Sequence, residues 1–242
     1  MSNDIITAGA CNLADWHDAC LHSLDIDTSR SQSLWLCEED APFIYLTAIT
    51  LDDNVEEQRS QIARVARAKD RPVAVCDCWS RLDLRDLGFE KFESEAWYVR
   101  DPQQPARAVS VEEVTQAEGL AEFEHASTDG FESLELHDLE PFGVYGEAVL
   151  HDPRMQLYVR REEGQVVSGS IACISAGVVG VYAVATVPAF RRRGFGEEVT
   201  WAAVQCEPSL PAILQPSVQG AAMYRRMGFT PVGLYTKWLR LP

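Results

Sequence analysis

The chain carries one closing phrase twice. Residues 84–100 read LRDLGFEKFESEAWYVR and residues 224–240 read YRRMGFTPVGLYTKWLR. In each, a Gly-Phe pair (Gly88-Phe89, Gly228-Phe229) precedes an arginine (Arg100, Arg240) by the same interval, with an aromatic-aliphatic pair (Tyr98-Val99, Trp238-Leu239) directly before it. Upstream of each copy the periodicity predicts a strand, a helix and a second strand in the same order. A duplicated unit narrows the choice of fold: two copies of one strand-and-helix arrangement, each ending in an alternating strand.

The rest of the pattern agrees. In the first copy, NLADWHDACLHSL has helical spacing, SLWLC and FIYLTAIT read as strands, and NVEEQRSQIARVARAK is a helix with acids early and bases late. PVAVCDCW follows as a buried strand whose alternation puts Cys76 and Cys78 on one face. DPQQPA, with prolines 102 and 105, is a linker signal, so the expected units are residues 1–102 and 106–242. Beyond it come a strand and helix in VSVEEVTQAEGLAEFEHAS, a hairpin around Glu162-Glu163-Gly164, and the β-branched strand GVVGVYAVATV. EEVTWAAVQCE is then helical, PAILQ a short strand, SVQGAAMYRRMG a short helix and PVGLYTKWLRL the last strand. The expected class is α/β, or α+β, built on a mixed sheet.

Charge limits the partners. The formal net charge of -16 on 242 residues disfavours nucleic acid and anionic membrane, both of which need a positive face. No apolar run approaches spanning length. Seven cysteines form no C-x-x-C pair and lack metal-ligand spacing, so buried free thiols, a cytoplasmic setting and no metal are expected.

Within this acidic chain, ATVPAFRRRGFGEE (residues 185–198) gathers three arginines and two glycines. The strand stops at Pro188, which cannot continue a ladder, and a helix starts near Gly196. N–H groups at a helix start lack partners and carry the positive end of its dipole. Glycines 194 and 196 remove the Cβ atoms that would keep a phosphate off those amides, and flanking guanidinium groups add positive charge. The pattern suits a pyrophosphate held by main-chain donors. Position 199 is valine, so the third glycine of a dinucleotide fingerprint is missing, and no Gly-Lys-Ser/Thr makes a Walker loop.

Strand, Val-Pro, R-x-x-G-x-G and helix, followed by LQPSVQGAAMYRRMGF, resembles the GNAT superfamily of acyl-CoA-dependent N-acetyltransferases, over roughly residues 106–242. The resemblance implies a tandem GNAT-like fold, with a central, mostly antiparallel sheet flanked by helices in each half. It implies acetyl-CoA as co-substrate, with Arg191, Gly194 and Gly196 at the defined positions of the pyrophosphate loop. Arg192, Arg193, Phe195 and Glu197 would add backbone amides, Arg192 standing where glycine is frequent. Val184, Ala185 and Thr186 would pair with pantetheine through main-chain groups. Tyr224 would be the general acid on the leaving thiolate, since a phenol of pKa about 10 protonates a thiolate of about 8.5. Ser217 occupies a position often held by asparagine; it is a helix cap or a cofactor contact. By the same overlay the first half has Leu84 in place of Tyr224, and Asp52 and Asp53 near the pyrophosphate position. That half is expected to be a degenerate copy without an acyl-CoA site.

Between Arg107 and Arg154 stand twelve acidic residues and no lysine or arginine. As a rim to the acceptor site they favour a small cationic amine over an anion. Glu147, His151 and Asp152 are positional candidates for a general base, whereas His125 and His137 read as surface histidines. The function expected is acetyl transfer from acetyl-CoA to a primary amine by direct attack in a ternary complex. The alternatives are a non-catalytic acyl-CoA-binding module and a protein or peptide N-acetyltransferase. The expected state is a monomer or homodimer.

Overall fold

The computed structural model describes residues 2–102, 107–132 and 139–242. In chain order the first elements are α1 (Ser2–His22), β1 (Ser29–Arg30), β2 (Leu34–Leu36), β3 (Ala48–Thr50), α2 (Val55–Ala68), β4 (Val73–Asp77) and β5 (Glu90–Arg100). They are followed by β6 (Glu112–Glu113), α3 (Ala117–Phe131), β7 (Met155–Glu162), β8 (Gln165–Ser175) and β9 (Val178–Thr186). Last come α4 (Phe195–Gln205), β10 (Ala212–Leu214), α5 (Ala221–Arg226) and β11 (Thr230–Arg240).

The two repeated phrases lie side by side. β5 and β11 run antiparallel, with Thr230 opposite Val99 and Leu239 opposite Glu90, at the middle of one mixed sheet of eleven strands. β11 pairs on its far side with β4, and β5 with β10. Each phrase therefore extends the strands of the other part of the chain. Outward from the central pair both sides repeat one sequence of pairings: antiparallel, then parallel (β4–β3, β10–β9), then antiparallel. The mixed α/β class and the mostly antiparallel sheet are as the sequence implies, with one sheet running unbroken through both parts.

Period-two alternation gives the sheet two apolar faces. One carries α1 and α3, over a core that includes Trp16, Trp35, Phe123, Ile171 and Tyr235. The opposite face is covered by α2 in the first part, over Ile62, Val65, Leu84, Phe89 and Trp238. In the second part it is covered by α4 and α5, over Tyr98, Ala203, Leu214, Tyr224 and Phe229. Leu84 thus sits with Phe89 and Trp238 as Tyr224 sits with Phe229 and Tyr98. Cys76 and Cys78 share the α1 face with sulfurs 3.8 Å apart, and all seven cysteines are free thiols.

One strand is shorter than its composition suggests. FIYLTAIT becomes a turn through Tyr45 and a strand only over Ala48–Thr50. The buried Tyr45 hydroxyl donates to Val144 O at 2.5 Å, and this tie overrides the β-propensity of the run.

His17 is the one buried histidine of α1. Its Nδ1–H donates to Leu13 O at 2.9 Å and its Nε2 accepts from Leu46 N–H at 3.3 Å, which leaves no site for a second proton. Burial pushes its pKa down to about 4 from the usual 6.5. The unfolded chain therefore binds a proton that the folded chain rejects. Stability is full above pH 6.5 and falls as the pH drops toward 4. Denaturant titrations at pH 7.5 and 4.5 should show a His17→Gln variant losing about 2 kcal/mol less than wild type over that interval.

Candidate active site

The quoted arginine-glycine stretch begins where β9 ends. Pro188–Phe190 form a single 3-10 turn, Arg192 is left-handed at φ 60°, and Gly194 at φ 92° leads into α4. A Cβ on Gly194 would meet nothing, so its backbone angle and not its surroundings selects glycine. Gly196 differs: a Cβ there would lie 3.2 Å from Thr186 Oγ1 and 3.9 Å from Met223 Sδ. The end of β9, the start of α4 and α5 therefore meet at Gly196. The N–H groups of Phe190 and Arg191 bond back into the turn, and the first helical bond runs from Glu198 to Gly194 O. Among the described residues, the six amides from Arg192 to Glu197 have no acceptor. They lie at the positive end of α4, where an anion is stabilised.

The three arginines divide their work. Arg191 is a structural tie: it bonds Gly130 O at 2.8 Å, Thr186 O at 3.2 Å and Glu132 at 2.8 Å, fastening the end of α3 to the end of β9. Its guanidinium is engaged by these three partners. Arg193 lies over the Phe190 and Phe195 rings and 3.4 Å from Glu162. Arg192 is exposed and has no ion-pair partner among the described residues. Glu197 is bonded by Arg107, and Glu198 by Arg160 at 3.0 Å, so the acids of the first turn of α4 are neutralised from the side.

A gap opens beside this turn. β9 and β10 are paired only at Val179–Ala212 and Gly180–Ile213, although β9 continues to Thr186. The register against β8 slips between Gly169–Ala185 and Ile171–Tyr182, which puts an extra residue into β9, and Ala183 there has φ 49°. β10 ends at Leu214 and this bulge bends β9, so the β10-facing edge of β9 has no ladder from Val181 onward. Val184 and Thr186 are half-buried along it and Ala185 is buried. The corresponding place between β3 and β4 is closed. There Cys78 N–H donates to Thr50 Oγ1 at 2.8 Å, just beyond the pairs Ala48–Val75 and Ile49–Cys76. At the start of α2 acidic side chains stand by the turn: Asp52 accepts from Asn54 N–H and from Gln58 Nε2, both at 2.9 Å, while Asp53 pairs with Arg81.

Tyr224 lies on α5, buried, its ring edge-on to Phe229 at 5.8 Å. Its hydroxyl has no partner among the described residues. Burial raises its pKa, so the phenol is protonated at neutral pH, the form a proton donor needs. Ser217 Oγ accepts from Gly220 N–H at 3.1 Å, in the turn that leads into α5.

The acceptor-side acids are mostly engaged. Glu124 is buried and accepts from Phe142, Val144 and Tyr145 amides; Glu112 and Glu122 hold Arg161; Glu132 holds Arg191. Asp152 is bound by Arg154 at 2.6 Å, which holds its carboxyl below the usual range and makes it a poor base. Glu147 and His151 are exposed, and His125 lies 3.7 Å from Asp129. His137 falls outside the described residues. Glu113, Glu118, Glu140 and Glu147 have no ion-pair partner among the described residues. Those residues contain no cluster suited to a metal and no helix long and apolar enough to cross a membrane.

Sequence reasoning missed Asn12, Tyr182 and Ala183. The available signal was Gly180, an isolated glycine in an apolar strand, which marks a bulge or a close approach.

No protein-family model and no curated protein sequence matches the chain. Its fold does match solved structures. A GCN5-related N-acetyltransferase from Kribbella flavida is 22% identical, with a TM-score of 0.63 over 94% of this chain and 95% of that one. A GNAT-family protein from Novosphingobium aromaticivorans is 13% identical, with a TM-score of 0.60 over 93% and 96%. A functionally unknown conserved protein from Staphylococcus epidermidis is 14% identical, with a TM-score of 0.58 over 90% and 94%. The chain has the fold of the GCN5-related N-acetyltransferases over nearly its whole length.

The left-handed angle at Gly194 yields a direct check. Gly194→Ala should lower the unfolding free energy by about 1 kcal/mol in urea titrations, because alanine is strained there.

Proposed function

We propose that the protein transfers an acetyl group from acetyl-CoA to a primary amine. The observation that carries this reading is the run of acceptor-less amides from Arg192 to Glu197 beside an unladdered strand edge. The two features fit the two parts of coenzyme A: a diphosphate at the amides, and the amide-bearing pantetheine arm along Val184–Thr186. The fold agrees with it.

Magnitudes assign the grip to the main chain. A hydrogen bond to a charged group contributes about 1.5–3 kcal/mol, whereas an exposed ion pair contributes about 0–1 kcal/mol. Several amides therefore outweigh Arg192, and Arg191 and Arg193 act by shaping the turn.

Acetyl-CoA supplies an activated thioester, and direct attack by a neutral amine needs no covalent enzyme intermediate. The strand edge orients the donor, which converts a bimolecular encounter into attack within one complex. Tyr224, protonated because it is buried, donates its proton to the departing sulfur. Ser217 supports it from a distance by bracing the turn into α5. For the base, Asp152 is tied down, which leaves Glu147 and His151, or water. The acceptor is a small cationic amine: Glu140 and Glu147 are exposed between α3 and β7, and residues 108–153 contain no basic side chain except histidine. In the first part of the chain, Asp52 and Asp53 and the closed β3–β4 edge leave no comparable site, so residues 1–102 serve as a scaffold for residues 106–242.

Release of free thiol from acetyl-CoA in the presence of a panel of polyamines, aminoglycosides and amino acids tests the reading. Turnover should be highest with cationic amines and should weaken with added salt. Tyr224→Phe should lower kcat by a factor of about 100 with coenzyme A affinity nearly unchanged. Unchanged turnover in that variant would remove the tyrosine from the chemistry, and no thiol release with any acceptor would favour a binding module.

A further inference from the structure

The gap between β9 and β10 lies beside the bulge of β9 at Ala183, and groups from the opposite end of the chain pack against this bulge. Asn12, on α1, is fully buried. Its Nδ2 donates to Cys173 O at 2.8 Å, to Ser175 Oγ at 2.9 Å and to Ser175 O at 3.2 Å, at the end of β8. Its Oδ1 accepts from the Tyr182 hydroxyl at 2.7 Å. One turn along α1, the Trp16 ring stacks on Tyr182, with centroids 4.6 Å apart and planes 12° from parallel. Glycine at 180 makes this possible, since a Cβ there would lie 1.8 Å from Asn12 Oδ1 and 2.5 Å from the Tyr182 ring. The next residue after Tyr182 is the left-handed Ala183.

We propose that Asn12 is a positioning residue for acyl-coenzyme A, holding Tyr182 so that the bulge at Ala183 keeps the β9 edge open for the pantetheine arm. This rests on the acetyl-CoA reading above. A left-handed angle is strained for an alanine inside a strand, so its surroundings must hold it. On one side of the bulge the constraint is the Asn12–Tyr182–Trp16 clamp. On the other it is Arg191, whose Nε bonds Thr186 O. With the clamp released, Ala183 relaxes toward extended geometry and β9 approaches β10. The amides of Arg192–Glu197 are untouched by this change, so the loss falls on the pantetheine arm and not on the diphosphate.

The test measures coenzyme A affinity by calorimetry on the full chain, with hydrogen exchange of the 183–187 amides and the thermal midpoint recorded alongside. Tyr182→Phe keeps the ring and removes only the hydroxyl. It should weaken coenzyme A about tenfold, raise the KM for acetyl-CoA more than it lowers kcat, and speed exchange at 183–187. Asn12→Ala removes that same bond together with the three contacts to β8, so it should weaken coenzyme A at least as much, and adding Tyr182→Phe to it should cost little more, because the hydroxyl has already lost its acceptor. Adding Ala183→Gly to Tyr182→Phe should restore most of the affinity, since glycine takes the left-handed angle without strain. Such a rescue is not expected from a residue that only packs. If wild type binds coenzyme A and Tyr182→Phe binds it equally, or if Ala183→Gly rescues nothing, the proposal is overturned. If wild type binds none while Tyr182→Phe still speeds exchange, the acetyl-CoA reading falls and only the mechanical clamp survives.

Discussion

β9 runs on to Thr186, well past its last pair with β10, which itself ends at Leu214. β9 and β10 stop after two register pairs, at Gly180 and Ile213, and the rest of the second part is arranged around that early separation. The bulge at Ala183 turns β9 outward, Pro188 ends it, and the left-handed Arg192 and Gly194 redirect the chain into α4. Amides left without a protein acceptor in this largely exposed turn are met by water, which an anion can replace. At the closed β3–β4 site, Thr50 and Asp52 instead accept from backbone N–H groups within the chain.

The three arginines in so acidic a protein are then less a basic patch than a local frame. Arg191 and Arg193 are consumed by Glu132 and Glu162, and Arg107 and Arg160 neutralise Glu197 and Glu198 on the first turn of α4. The turn ends close to electrically balanced on its side chains. What it presents to solvent is the dipole and the amides of its backbone, with Arg192 the one arginine of the three left over. Surface ion pairs contribute little to stability, so these pairs matter chiefly for orientation.

Much of the fold was legible. The repeated Gly-Phe-to-Arg phrase marked two strands that turn out to be neighbours, and the turn signals at Glu162-Glu163-Gly164 and Pro188 fell where the chain turns. The exchange of β5 and β11 between the two parts was not, because strand order depends on pairing across more than a hundred residues, which no local pattern encodes. At the site, the glycines and the helix start were legible from spacing and resemblance. The assignment of Arg191 to an α3–β9 tie was not, since nothing nearby in sequence names Gly130 or Glu132 as its partners. Asn12 was illegible for the same reason: its bond to Tyr182 joins residues 170 positions apart, and only Gly180 hinted that something approaches β9 closely. The strand expected at Phe43–Leu46 gave way to a buried tyrosine hydroxyl seeking Val144 O, a tertiary contact that propensity does not foresee.

The most direct measurement is an amide-resolved NMR titration with inorganic pyrophosphate and with coenzyme A, following Arg192–Glu197 and, as an internal control, Asn54–Glu57 at the start of α2. The expected result is a saturable downfield shift and slowed hydrogen exchange at Arg192–Glu197 with both ligands, changes along Val184–Thr186 with coenzyme A alone, and none at α2. Unmoved amides at Arg192–Glu197 under saturating coenzyme A, or equal shifts at the two helix starts, would contradict the assignment of that turn as the diphosphate cradle.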